Sequence, residues 1–153
     1  MTSIDFDAEA LRRQILDFHA SIRNNAQQAL AAAVKAAAQS ARSTALFRDG
    51  PNAVLRNSIT DTIGSLEGEV AANAKHARFV EAGTAPHEIK AKRRGTLRFV
   101  ANGETIFRRK VMHPGTAPAP FMQEAADLGE KTLEWGLEYF IGDAIERFNA
   151  SGT

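Results

Sequence analysis

The longest unbroken pattern in the chain runs from residue 8 to residue 46, and its period is that of a helix. Leu11, Ile15, Phe18 and Ile22 recur at spacings of four, three and four, which makes one apolar stripe. The stripe continues through Ala26, Ala29 and Ala33, and Leu30, Val34, Ala37 and Ala41 widen it. Its second half, AQQALAAAVKAAAQSA, joins high helix propensity to very small side chains. Another backbone can approach such a face closely, so it suits packing against a sheet or a neighbouring subunit. Asp7 is placed to cap the start, and Asp7 and Glu9 both favour the positive end of the helix dipole. RDGPN at 48–52 ends the pattern.

The period then changes. LRNSITDTIGSL, from Leu55, is rich in Thr, Ser and Ile and reads as a strand, with GEVAA at 68–72 as a second after a turn. AKHARFVEAG reads as a short helix that Gly83 ends, and HEIKAK at 87–92 as an extended segment. Leu97, Phe99 and Ala101 alternate before Asn102-Gly103, and Ile106 follows. Asn-Gly between two such runs signals a hairpin, because both residues tolerate positive φ. Phe99 and Phe107 are expected on the hairpin's core face. KVMHPGTAPAPFM then brings three prolines that fix φ and remove donors, so 113–120 is a connector and not a continuation of either neighbour. In this reading His113 is a polar group at a strand's end, and Phe121 is an apolar anchor at a helix start. Phe121, Ala125, Leu128, Leu133, Leu137, Phe140, Ile141, Ala144 and Phe148 give that last helix its stripe, with Gly129, Gly136 and Gly142 weakening it locally.

The expected architecture is α+β: a long N-terminal helix, a mostly antiparallel sheet with a central hairpin and a short helix, and a long C-terminal helix. A length of 153 residues suits one domain over 1–153, divided into helix 8–46, sheet region 54–112, proline loop 113–120 and helix 121–149. With no cysteine, disulfides, thiolate metal sites and cysteine nucleophiles are excluded. The start, MTSIDFDAEALRR, lacks the basic-then-apolar order of a signal peptide, and no run approaches the ~20 apolar residues of a membrane span, so folding in a cytoplasm is expected.

Charge is distributed unevenly. Residues 75–113 hold ten basic residues against Glu81, Glu88 and Glu104, whereas 121–150 hold seven acids against Lys131 and Arg147. Opposed segments of this kind can make head-to-tail contacts between copies. The basic set is Lys90, Lys92, Arg93, Arg94, Arg98, Arg108, Arg109 and Lys110, with Lys75 and Arg78 before it. Interleaved with Phe99 and Phe107, these cations could instead track a phosphate backbone, which makes a DNA-contacting accessory protein using the basic hairpin 90–110 the alternative function.

An enzyme finds little support. His76, His87 and His113 with Glu81 could in principle hold zinc, but their spacing fits no compact ligand motif, and a metal-dependent hydrolase is a distant third reading. GxSxG, GxxxxGK[ST] and GxGxxG are all absent, so no catalytic residue, cofactor or metal is assigned.

ARFVEAGT (77–84), the following PHEI (86–89), a strand pair, and then HPGTAPAPFMQEA (113–125) resemble the neck or tail-completion family of long-tailed, lambda-like phages and prophages. Glu81, Gly83 and Thr84 match the first block of that family, and His113, Pro114, Gly115, Thr116, Pro120 and Phe121 match the second. His76-Ala-Arg78 stands where a tyrosine is common, and Ala82 replaces an aromatic. The resemblance implies a non-enzymatic virion protein at the head–tail joint. It would assemble with copies of itself as a ring, a hexamer among the options, between a connector or stopper protein and a tail terminator or tube protein. Non-specific contact with packaged DNA is compatible with that place, and a membrane is not.

One segment is weighed on composition alone. APHEIKAKRRGT (85–96) has Ile89 as its single large apolar side chain, so it is expected to be mobile in the free subunit. The alternative is that Ile89 pins it as an edge strand.

Overall fold

The computed structural model describes residues 7–46, 53–92, 95–101 and 103–151. The architecture is α+β: two long helices, with short antiparallel strand pairs between them in sequence. Backbone contacts gather into two units, one formed by the chain up to Ala74 together with the chain from Phe121, the other by Lys75–Pro120.

The first unit is built on α1 (Ala8–Leu46) and α4 (Phe121–Ser151). The Asp7 carboxylate accepts the Ala10 N–H at 2.9 Å, so the expected cap is in place. The two helices run antiparallel: the Phe18 and Phe148 rings pack at a tilt with centroids 4.6 Å apart, and the Asn25 side-chain amide donates to the Phe140 carbonyl at 2.7 Å. Between these contacts and the far end the seam is made of small residues. A Cβ added at Gly136 would lie 3.0 Å from the Ala29 Cβ, and one at Gly129 would lie 3.1 Å from the Ala37 Cβ. These glycines, read from the sequence as weak points, are where α4 comes closest to α1. The alanine face of α1 is thus occupied by the chain's own last helix.

The same unit carries α2 (Val54–Asn57) and the hairpin β1 (Ile59–Ile63) with β2 (Gly68–Ala72), Ile59 opposite Ala72 and Ile63 opposite Gly68. The strand expected from Leu55 begins only at Ile59. Residues 54–57 form one helical turn instead, which lets Leu55 be fully buried while Arg56 and Asn57 stay exposed. Arg42 of α1 binds the hairpin twice, donating to the Ile59 carbonyl at 3.0 Å and pairing with Asp61. Val34 of α1 fills the space beside Gly68.

The second unit holds α3 (Ala77–Ala82), β3 (His87–Lys90), β4 (Leu97–Ala101), β5 (Glu104–Arg108) and β6 (Lys110–His113). β4 pairs with β5 from Leu97 opposite Arg108 to Ala101 opposite Glu104, and β3 with β6 from His87 opposite His113 to Lys90 opposite Lys110. The Ala91 N–H donates to the Arg109 carbonyl at 2.9 Å, which joins the two ladders along one side. The two ladders thus follow one another as a two-stranded ribbon. Ile89 faces Val111 and both are half-buried, so 87–90 is placed as a strand paired along β6, and Arg93 and Arg94 of the same segment lie outside the described residues. Gly103 has φ of 81°, as the hairpin turn requires.

Among the described residues the buried apolar side chains are mostly alanines, six of them on α1, and the only large ones fully enclosed are Phe121 and Leu55. Many larger apolar side chains are exposed on both units.

Candidate assembly surfaces

The two sequence blocks at 81–84 and 113–116 meet in the second unit. Thr84 and Thr116 exchange backbone hydrogen bonds of 2.9 and 3.0 Å, and the Ala119 N–H donates to the Val80 carbonyl at 2.9 Å. Each threonine is preceded by a glycine that makes the exchange possible. Gly83 has φ of 70°, and a Cβ there would sit 2.5 Å from the Thr116 carbonyl oxygen. Gly115 has φ of 87°, and a Cβ there would overlap the Thr84 carbonyl. The repeated Gly-Thr is therefore one clasp seen from its two strands: both backbones adopt a left-handed turn and lie closer than any side chain permits.

His113 closes β6 and its Nδ1 accepts the Gly115 N–H at 3.1 Å, which tightens the turn around Pro114. His87, directly opposite, has Nδ1 2.9 Å from the Ala85 carbonyl and therefore donates there, and the two rings lie 5.1 Å apart. Both histidines are thus committed to local turns. With Phe79, the clasp and these rings line a groove of about 620 Å³. The Arg78 guanidinium lies over the Phe79 ring at 4.5 Å, so this arginine supplies a cation–π contact beside the groove. Glu81 and Pro120 lie outside the groove lining: Glu81 is half-buried on α3, and Pro120 is exposed immediately before the fully buried Phe121. Among the described residues no three His, Asp or Glu side chains gather as metal ligands would, and no helix is long and apolar enough to cross a membrane.

The basic residues sit around the ribbon and not along one side of it. Strand pairing puts Arg98, Val100, Thr105 and Phe107 on one face, and Leu97, Phe99, Ile106 and Arg108 on the other. Phe99 and Phe107 therefore cannot share a core face, and both are exposed, Phe107 by 56%. The expectation that both were core residues fails on strand parity. Glu88 binds Lys90 at 3.1 Å and Lys110 at 3.2 Å, and so offsets the repulsion of two lysines placed directly opposite each other. Hydrogen bonds from Lys90 and then Lys110 hold the Glu88 carboxyl below its ordinary value of 4.5. Lys92 is exposed, and Arg98 and Arg109 have no carboxylate partner among the described residues. Arg108 donates to the Phe107 carbonyl at 3.1 Å. Arg93 and Arg94 lie outside the described residues.

A third surface was missed in the sequence. On α4, Leu128, Trp135 and Tyr139 share a line along the helix and are all exposed, the last two by 63% and 61%, with their rings stacked 5.6 Å apart. Leu128 belongs to the apolar stripe of the sequence but is exposed by 44%. The available signal was Trp135 and Tyr139 at i, i+4 outside that stripe, a pair of large rings that the α1 seam has no room to take.

Residues 9–83 match the HK97-gp10-like family model. The family is described as "Bacteriophage HK97-gp10, putative tail-component", and the match spans α1, α2, the first hairpin and α3, ending at the first glycine of the clasp. The resemblance read from 77–122 overlaps this span only at 77–83, so two largely separate stretches lead to one family of phage tail components. No curated protein and no solved structure matches the chain.

Proposed function

We propose that the chain is a structural protein of the phage virion, placed at the head–tail joint, where copies assemble as a ring between the portal-side connector or stopper and the tail terminator or tube. The family match over 9–83 carries this reading. The distribution of apolar surface supports it. A chain that encloses alanines and leaves Trp135, Tyr139, Val100, Phe107 and Met112 in solvent has unspent apolar surface of the kind that marks interaction sites. The unpaired cations of the ribbon and the acids of α4 supply surfaces of opposite sign for contacts between copies. A role as DNA-contacting accessory draws less support, because the ribbon's cations point to both of its faces and two of them are engaged by Glu88.

Deleting the coding gene from the phage or prophage genome that carries it tests the assignment. The expected outcome by electron microscopy is DNA-filled heads and finished tails that fail to join. Infectious tailed particles made without the protein would overturn the assignment.

A further inference from the structure

We propose that the face of the ribbon bearing Arg98, Val100 and Phe107 docks on the Trp135–Tyr139 stripe of α4 in a second copy of this chain. The inference rests on the reading of the protein as self-assembling, and goes further by naming both halves of the joint. Each half is apolar at its centre and charged at its margin, basic on the ribbon and net acidic on α4. On the ribbon, Val100 is 67% and Phe107 56% exposed, and Arg98, directly opposite Phe107, has no ion-pair partner among the described residues. On α4, Trp135 and Tyr139 form a flat stacked platform. Helical spacing puts Glu146 on the same line seven residues beyond Tyr139, Glu138 three residues beyond Trp135, and Lys131 four residues before Trp135. Acids therefore outnumber bases at this margin, and neither glutamate has an ion-pair partner among the described residues.

Aromatic rings flanked by opposite charges provide the desolvated centre and polar rim of a specific contact. A two-stranded ribbon is marginal alone in water and gains most from a surface to lie on. Because ribbon and stripe are different patches of one chain, each copy offers one of each. The contact is heterologous, and it propagates around a ring if the rotation closes.

The chain has a built-in reporter, since Trp135 is its single tryptophan. Sedimentation and Trp135 emission are followed against concentration for the wild type, a V100S/F107S chain and a Tyr139→Lys chain, with circular dichroism to confirm that all three fold. In the wild type, species above monomer should form as Trp135 emission moves to shorter wavelength. Each variant alone should need at least tenfold more protein to associate. An equimolar mixture of the two variants should give one-to-one pairs and nothing larger, because one wild-type ribbon and one wild-type stripe remain between them.

Variants that associate like the wild type, or a mixture that forms no pairs, would overturn the contact. Wild-type oligomers with unshifted Trp135 would overturn the contact and leave the ring standing, whereas a wild type monomeric at every concentration would overturn both. Emission already shifted at the lowest concentration would place the cover within the same chain, against the proposal. A V100S/F107S chain that keeps its oligomers but no longer binds duplex DNA would assign the ribbon to nucleic acid instead.

Discussion

The α1–α4 pair and the 87–113 ribbon solve opposite problems with opposite residues. In the helix pair, stability comes from how little side chain there is: glycine meets alanine, the backbones close up, and dispersion between main chains replaces the burial of large groups. In the ribbon, large side chains are plentiful but poorly enclosed: Leu97, Ile106, Ile89 and Val111 are half-buried, and Val100, Phe107 and Met112 stay in water. Size of side chain therefore predicts importance to folding poorly here. What predicts it is whether a second element lies within reach.

The sharpest break of that comparison is at Phe121, the one large ring fully enclosed among the described residues. Phe121→Ala should cost about 3–5 kcal/mol in chemical unfolding, as aromatic truncations in cores do. A midpoint unchanged in denaturant would mean that the alanine seam alone holds the fold. Next in size is the pairing of Ala29→Leu with Phe107→Ser. Adding a larger side chain against Gly136 should cost roughly 1–3 kcal/mol through overpacking. Removing the ring of Phe107 should stay within about 0.5 kcal/mol for the monomer. The reverse order in thermal melts would refute the account of both regions.

At the clasp, Gly115→Ala introduces a Cβ against the Thr84 carbonyl at positive φ, a strain of about 1–3 kcal/mol confined to the second unit. Amide exchange reads it directly. The Thr84 and Thr116 N–H groups should lose protection while α1 and α4 amides keep theirs. Loss spread evenly over the chain would instead make the clasp a support of the whole fold.

These regions were not equally legible in sequence. The bounds of α1 and the start of α4 follow from period and from Pro120, since local propensity and the fixed φ of proline act without help from distant residues. The Asn-Gly hairpin was legible for the same reason. The helical turn at 54–57 was not, because Leu55 is buried by tertiary packing that overrides a Thr- and Ser-rich, strand-like context. The Gly-Thr repeats were visible as matching blocks, but their meeting across some thirty residues depends on chain reversal by the ribbon, which no local signal encodes. The partner of the alanine face was open between a sheet and another subunit; the structure supplies α4, with the β1–β2 hairpin beside it at Val34.

The smallest effect concerns Glu88. Hydrogen bonds from Lys90, then Lys110, stabilise its ionised form, so its carboxyl titrates lower in the folded ribbon than in the unfolded chain. The sign follows from linkage. A depressed folded-state value adds stability that is present above the ordinary value of 4.5 and is lost as pH falls through the lowered one. Acid should therefore loosen the β3–β6 end of the ribbon first, where protonation leaves Lys90 opposite Lys110 with nothing between them. The three side chains are solvent-accessible, so raising salt from 0.1 M to 1 M, which shortens the Debye length from ~10 Å to ~3 Å, should shrink the effect. Glu88→Gln should abolish the pH dependence of amide exchange at Lys90 and Lys110 and leave that of the helix pair untouched. A carboxyl-carbon NMR titration of Glu88 with a midpoint at or above 4.5 would remove the basis for the prediction.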